Sequence, residues 1–532
     1  MRRAAALAAA LALPLAAAAP ARAAQEPPRT LSFLHVGPPA GPADLPQIVD
    51  RAGREVMLKG VNVDGLVDYW RPDLRPPYPS EPAAYADGAC PPDDPSVEGV
   101  PICEFDAAQM RPLGFDAVRL NLSWSLLEPA PGRIDRVYLD RIAQVVGWLK
   151  AQGIFTVLDL HQDAWSKYVF SSPGDPCAGP LRAIRGFDGA PRWASAHATP
   201  ACALNGVREL DPAVAEDFQR LYDDDAAPDG KGLQEHYAEV LVALARRFAG
   251  EPAVAGYEIL NEPSPGYVAP SPAMDTAELF PFYARMISAV TKAVPGFRQP
   301  FFIEPNTVRN VTDRSDLLLP WSAFSSYPNV VYAPHIYTGV FTADQQVAGR
   351  RLFPPDGGYR SAIADARRLG LPLWVGEFGN NPADDDELLR TSYELQDRYG
   401  VAGTLWLWKE NANDVDPSVF WGVFGPPFGP GTPQAHRLRY VARPFPLAVA
   451  GDLRSYAYDL DRRALDLRAA SRRVAFGDRA HATVLFVPAA VTAGLRAEHA
   501  RLEVFDRGGG AREAYVYPRG GAYRLRTVGP RR

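Results

Sequence analysis

The 532 residues contain no long run of like charge, no Cys-x-x-Cys pair, no internal repeat and no low-complexity linker past the N-terminus, and each absence removes a class of function. Lysine and arginine number 56 against 62 aspartate and glutamate, a formal net charge of −6. With no basic block to face a phosphate backbone, nucleic acid is not an expected partner. After Ala23 no apolar stretch approaches the length of a membrane span. Cysteine is scarce, at four residues, and no histidine pair stands near any of them. A zinc site therefore gives way to disulfides as their expected use; no metal and no cofactor are expected.

What is present begins with Met1-Arg2-Arg3, an Ala/Leu stretch to Ala19, and Ala21-Arg22-Ala23. These are the charged, apolar and small-residue regions of a secretory signal peptide over 1–23, with cleavage before Ala24. Pro14 and the shortness of the stretch speak against an uncleaved anchor. The expected location is outside the cytoplasm, extracellular or periplasmic. The cysteines fall by spacing into two local pairs, Cys90 with Cys103 and Cys177 with Cys202, as an oxidising compartment allows.

From Arg54 to about Arg439 short apolar runs alternate with amphipathic stretches, the pattern of parallel strands joined by crossover helices. Eight strands are expected: Val56 to Val63, Ala117 to Leu122, Phe155 to His161, Gly256 to Asn261, Phe301 to Glu304, Val330 to His335, Leu373 to Glu377 and Gly403 to Trp408. Among the helices, one runs from Asp135 to Gln152 with Ile142, Val145, Val146 and Leu149 on one stripe and Gly153 just past its end. Another spans Leu233 to Phe248, and a third starts near a capping Asp384. The fold class is thus α/β, a (β/α)₈ TIM barrel over 24–442. After Arg443-Pro444-Phe445-Pro446 the helical period fades. Runs such as Ala480 to Val487, Arg501 to Phe505 and Ala514 to Tyr517 then predict a small β-sandwich over 443–532.

Two barrel connections are too long for plain linkers, Gly65 to Glu104 after the first strand and Gln162 to Asp211 after the third. Each holds one cysteine pair, and each lies on the face where barrels build their sites. Closing a loop of about 15 residues stabilises by roughly 3 kcal/mol in the chain-entropy model, so the walls of a cleft would be stiffened.

Two glutamates at strand ends suggest the chemistry. In Tyr257-Glu258-Ile259-Leu260-Asn261-Glu262-Pro263 the proline stops the strand and leaves the Glu262 carboxyl projecting into the loop face, with Asn261 beside it for a sugar hydroxyl. In Leu373-Trp374-Val375-Gly376-Glu377-Phe378-Gly379 a carboxylate sits among large apolar side chains and between glycines, which signals close backbone approach. A single such glutamate is usually a surface or cap residue. Two at strand ends of one barrel can face each other across an acetal, one protonating the leaving group and one attacking.

With these motifs the sequence resembles glycoside hydrolase family five, in the clan whose acid/base and nucleophile are glutamates at the ends of strands four and seven. The resemblance extends to Arg119 in Ala-Val-Arg, His161 in Asp-Leu-His-Gln-Asp, His335 and Tyr337 in Pro-His-Ile-Tyr, and Trp406 in Leu-Trp-Leu-Trp. It implies Glu262 as acid/base and Glu377 as nucleophile of a retaining, double-displacement mechanism, with carboxyls about 5 to 5.5 Å apart. Arg119 would hold Glu377 ionised, and Glu262 would need a raised pKa. Asn261 and His161 would orient the sugar, His335 and Tyr337 would bond the carboxyl pair, and Trp406 would form the stacking floor, with Trp408 its rival. Asp163 reads equally as a sugar ligand and as a loop cap. Glu304 is expected to support the pair from behind.

Within the family the likeness is to the endoglycoceramidase-related enzymes, carried by Ser123-Trp124, Glu128-Pro129-Ala130-Pro131-Gly132, Tyr138-Leu139-Asp140-Arg141 and the tail Arg443-Pro444-Phe445-Pro446. It implies a glycolipid or oligosaccharide substrate and transient contact with a membrane surface. An endo-β-glucanase or β-mannanase is the alternative, and a non-catalytic carbohydrate- or lipid-binding protein a third. Trp70, Trp165, Tyr168 and Trp193 are candidates to line an acyl groove or sugar subsites.

Overall fold

The computed structural model describes residues 29–528 apart from 40, 42–43, 69–80, 86–99, 172–173, 185, 187, 197–200, 205–206, 268–273, 315–318, 381–385, 411–420 and 426–432. Eight parallel strands form its centre: β1 Gly60–Val63, β2 Ala117–Ser123, β3 Phe155–His161, β4 Val254–Glu258, β5 Phe301–Ile303, β6 Val330–Tyr332, β7 Val375–Phe378 and β8 Gly403–Leu405. Neighbours in the sheet are neighbours in sequence, and β8 returns to β1. A parallel bridge from Tyr332 to Leu373 closes β6 onto β7, so the sheet is a barrel.

The strands are buried on both faces, as parallel strands covered by helices must be, and the polar side chains they carry are buried with them. All seven residues of β2 and of β3 are buried. Gly60 is required by the closeness of β2, because a Cβ there would lie 2.1 Å from the Ala117 carbonyl oxygen. Among the surrounding helices, Arg136–Ala151 is capped by Asp135, whose side chain accepts from the Tyr138 amide. Its buried stripe is the expected one, with Tyr138 and Arg141 added, and Gly153 follows in the left-handed region. Leu233–Phe248 has the expected bounds, while the helix Asp386–Tyr399 begins after Asp384, which lies outside the described residues.

The first expected strand divides in two. Glu55–Val56 pairs with Phe445–Val449, and only Gly60–Val63 enters the barrel. Between them Leu58 turns the chain at a φ of 50°. The strands His35–Gly37, Gln47–Val49 and Glu55–Val56 thus belong to a seven-stranded antiparallel sheet with Phe445–Val449, Thr483–Val487, Ala511–Pro518 and Ala500–Gly508. A second antiparallel sheet holds Asp452–Asp459, Ala464–Ser471, Gly521–Val528 and Gly494–Glu498. Leu467, Tyr456 and Leu525 of the second meet Leu485, Val487 and Val516 of the first in one apolar core. N-terminal and C-terminal segments are therefore tied together behind the barrel, with Arg54 donating to the Ala482 carbonyl across 428 residues of chain.

Candidate active site

The centre of the barrel mouth is Arg119, on β2, with no solvent exposure. Its Nε donates to Glu258 Oε2 at 2.6 Å, and one terminal nitrogen donates to Glu377 Oε1 at 2.6 Å and to Asn62 Oδ1 at 3.0 Å. The other donates to Asn261 Oδ1 at 2.7 Å and lies 3.1 Å from Asp159 and 3.5 Å from Glu304. One guanidinium on β2 therefore ties together side chains of four other strands, β1, β3, β4 and β7, with Asn261 and Glu304 from just past β4 and β5. Burial alone would lower its pKa, but Asp159, Glu258, Glu377 and Glu304 raise it well above the ordinary value.

Glu377, on β7, is almost fully buried. Its Oε1 takes the Arg119 bond and its Oε2 accepts from Tyr337 Oη at 2.8 Å. The flanking glycines are where close approach demands them. A Cβ on Gly376 would stand 3.0 Å from the His335 ring, and one on Gly379 would stand 2.7 Å from the Trp406 carbonyl oxygen. Burial pushes the Glu377 carboxyl above its ordinary pKa, while His335 and Arg119 pull it back towards the ionised form and Glu262 pushes it up again. The expected Arg119 contact is present, and it works against desolvation rather than alone.

Glu262 comes four residues after β4 ends. Backbone bonds from Ile259 to Phe302 and from Asn261 to Leu160 hold the intervening chain between β5 and β3. Glu262 then adopts a φ of 37°, a region rarely used by a side-chain-bearing residue and commonest where function fixes the backbone. Its amide donates to Glu304 at 3.3 Å and its carbonyl accepts from Gln162 at 3.0 Å, which sustain that turn. The carboxyl accepts from Asn310 Nδ2 at 2.6 Å and meets His335 Nδ1 at 2.7 Å, with 17% of the side chain still open to solvent.

His335 joins the two glutamates, since the same Nδ1 is 3.4 Å from Glu377 Oε2 and Nε2 is 3.3 Å from Glu304. Desolvation disfavours its charged form, but Glu304, Glu377 and the bond to Glu262 raise its pKa well above the usual range. One carboxylate oxygen of Glu262, one of Glu377 and a His335 nitrogen all lie within 4.8 Å of one another. That spacing suits a nucleophile and an acid/base acting on one anomeric carbon. It is too short for the inverting arrangement, which leaves about 6.5 to 9.5 Å for a water.

The other expected residues line the same mouth. His161 bonds Asp159 at 2.8 Å, faces Asp163 at 3.4 Å and stacks on Trp406 with ring centroids 5.6 Å apart. Against the opposing effect of burial, those two carboxylates push the His161 pKa up to about 10. Asp163 also pairs with Arg208 at 3.2 Å; despite burial, Arg208 and His161 hold its pKa below the ordinary value. Of the two tryptophans after β8, Trp406 is partly exposed against His161, whereas Trp408 is buried and donates to Asp106 at 2.9 Å. The Asn261 amide is largely committed to protein, accepting from Arg119 and donating to the Gln162 carbonyl at 2.8 Å.

Two of the four aromatic candidates pack within the protein. Trp165 is buried against Trp124 and Phe218, and Trp193 donates to the Glu128 carbonyl and packs on His236. Tyr168 is half-buried, and Trp70 is outside the described residues. Cys177 and Cys202 form the expected disulfide and staple the hairpin Leu181–Ala183 with Cys202–Leu204. Cys103 is also disulfide-bonded, and its expected partner Cys90 lies outside the described residues. Asn310, Gln162, Asn62 and Arg208 are functional neighbours that sequence reasoning missed. Glu258 and Asp159 carried a usable signal, acidic side chains inside otherwise apolar strands.

Residues 104–412 match the family model for cellulase, glycosyl hydrolase family 5, and the chain belongs to that family of glycoside hydrolases. Endoglycoceramidase I of Rhodococcus hoagii is 27% identical over 443 residues, 79% of this chain and 75% of that protein. A crystal structure of an endogalactoceramidase is 30% identical with a TM-score of 0.75, covering 94% of this chain and all (100%) of that one. Endo-glycoceramidase II from Rhodococcus sp., solved as a lactosyl-enzyme intermediate, shares the fold at a TM-score of 0.65 and 23% identity, over 94% of this chain and 100% of that one.

Proposed function

We propose that this protein hydrolyses the bond between a β-linked glycan and the lipid of a glycosylceramide-like glycolipid, with retention of anomeric configuration. Glu377 Oε2 or its partner oxygen attacks the anomeric carbon as Glu262 gives its proton to the departing lipid oxygen. Glu262 then takes a proton from water, which displaces Glu377 and returns both groups to their starting states. His335 and Tyr337 steady the carboxyl pair, Arg119 orients Glu377, and Trp406 stacked on His161 offers the aromatic face on which a pyranose packs. The observation that carries this reading is the approach of the two carboxyl groups to within 4.8 Å around His335. The lipid side rests on likeness to endoglycoceramidase I and the endogalactoceramidase.

The same reading takes residues 1–23 as an export signal, in keeping with the Cys177–Cys202 disulfide. It takes the two antiparallel sheets as a β-sandwich packed behind the catalytic barrel. Purified protein supplied with a detergent-dispersed glycosylceramide should release the intact glycan and free ceramide, and should act weakly on soluble β-glucan and β-mannan. Glu262→Gln and Glu377→Gln should each lower that turnover at least about 10²-fold. Preference for either polysaccharide would replace the glycolipid by a polymer substrate.

A further inference from the structure

The turn at Glu262 is gripped by one short stretch of chain, residues 304–310, that follows β5. Glu304 Oε1 accepts the Glu262 amide at 3.3 Å, the Thr307 amide donates to the Pro263 carbonyl at 2.9 Å, and Asn310 Nδ2 donates to Glu262 Oε1 at 2.6 Å. Three contacts, to an amide, the next carbonyl and the carboxyl, thus converge on a residue whose φ is 37°. A backbone in that region persists only where its surroundings over-determine it.

The stretch is anchored in turn. Asp275 Oδ1 accepts the amide of Asn306 at 3.1 Å and its side chain at 2.8 Å. Arg309, buried in the helical turn Val308–Thr312, donates to the His335 carbonyl at 2.8 Å, to the Gly358 carbonyl at 2.7 Å and to Ser361 Oγ at 2.9 Å. The turn that carries Asn310 is therefore locked to the chain just past β6, where His335 places Nδ1 2.7 Å from the same Glu262 oxygen. Asn310 is itself buried, so its amide is held in place from both sides of the main chain.

Two nitrogens, from Asn310 and His335, face Glu262 Oε1, and among the described residues no hydrogen bond reaches Oε2. A carboxylic acid donates through one oxygen and accepts best through the other, and an oxygen that receives an amide N–H is the acceptor. We propose that Asn310 is a positioning residue of the acid/base: it holds Oε1 as the acceptor, so that the proton of Glu262 stands on Oε2 and is delivered from there to the leaving oxygen. The inference rests on the acid/base reading of Glu262 given above. As the bond from the anomeric carbon to the leaving oxygen breaks, its electron pair stays on that oxygen, which takes the Oε2 proton while Glu377 bonds to the carbon. Glu262 is left negative, and the Asn310 N–H on Oε1 becomes a stronger, charge-assisted bond at that moment. In the second step Oε2 recovers a proton from the water whose oxygen displaces Glu377.

The test is kcat/KM of the full chain, which reports formation of the glycosyl-enzyme, on aryl β-glycosides of graded leaving group. The series runs from 2,4-dinitrophenyl, which departs unprotonated, to phenyl, which needs the proton. Glucosides, galactosides and lactosides are screened, and the best wild-type substrate is carried through. Glu262→Ala should lose about 10²-fold or more on the phenyl glycoside and far less on the dinitrophenyl one. Asn310→Ala should show the same split in smaller measure, about 10- to 50-fold against less than about threefold. Asn310→Asp has the same size but turns an acceptor towards Oε1, and its loss on the phenyl glycoside should equal or exceed that of the alanine variant. Melting temperature, and the rate at which a dinitrophenyl 2-deoxy-2-fluoro glycoside labels Glu377, should stay near wild type in both, because neither needs a proton donor. Asn310 variants with the wild-type dependence on leaving group, or with equal losses on the two glycosides, would overturn the proposal, the latter because Asn310 would then only pack the turn. A Glu262→Ala variant that shows no split would instead bring down the acid/base reading, and the proposal with it.

Discussion

Arg119 in the barrel mouth and Arg524 on the outer face of the C-terminal sheet each lie within 2.7 Å of a carboxylate oxygen, yet the two ion pairs do different things. Arg524 is one-third exposed, bonds Asp466 and comes within 4.0 Å of Glu498, and water competes for every contact. Exposed pairs of that kind contribute about 0.2–1 kcal/mol and are screened by salt. Arg119 has no access to water, and the groups around it, Asp159, Glu258, Glu304 and Glu377, would be left buried and uncompensated without it. Loss of one partner from a buried network costs about 3–5 kcal/mol. The C-terminal pair keeps a sheet face soluble. The barrel network fixes where reactive oxygens stand, and desolvation is what gives it that authority.

Asp275 supplies a third condition, a buried carboxyl with no cation at ion-pair distance among the described residues. Its Oδ1 takes the Asn306 amide at 3.1 Å and side chain at 2.8 Å, while Oδ2 has no hydrogen-bond partner among the described residues. Burial pushes its pKa up to about 7, with Asn306 opposing and Asp365 adding to the rise.

The contrast can be broken first at its strongest point. Arg119→Lys keeps the charge but loses the fork that reaches four strands, and should lower kcat/KM by about 10²–10³ and stability by about 3 kcal/mol in denaturant titration. A variant as active and stable as the wild type would mean that a point charge suffices there. Asp275→Asn comes next. A folded-state pKa raised to about 7 means that the stabilising contribution is present in acid, below the ordinary carboxylate value, and is lost as pH climbs through about 7. Between about pH 5 and about pH 8 the wild-type Tm should therefore fall by about 2–4 °C relative to the variant. A constant difference would deny the buried charge. Arg524→Lys should move stability by less than about 1 kcal/mol and leave turnover unchanged.

The sequence carried the barrel and its reactive pair because both depend on local pattern. Phe155–His161 and Leu233–Phe248 have uninterrupted apolar signatures, and Glu262 and Glu377 are marked by the proline and glycines that end or tighten their strands. Strand ends were read three residues too long at β4, β6 and β8, where apolar residues continue past the ladder into the mouth, and one residue too long at β5. Illegible features were those made by distant chain. Asn310 reaches Glu262 from a short helix after β5, with no periodic cue. The strand Asp452–Asp459 hides its alternation behind arginine and aspartate, and Val56 looked like barrel because nothing local reveals that Phe445–Val449 pairs with its strand. Trp165 read as a candidate for an acyl groove or a sugar subsite because an aromatic in a long loop carries no sign of whether its loop folds over it.

The central claim is that the Glu377 carboxylate forms a covalent bond to the sugar while Glu262 stands across the same anomeric carbon. Its most direct test is incubation with an activated 2-deoxy-2-fluoro β-glycoside followed by peptide mass spectrometry. The account predicts one glycosyl adduct, on the peptide containing Glu377 and absent from Glu377→Gln. An adduct on another carboxylate, or turnover that gives the inverted anomer with no adduct, would contradict it.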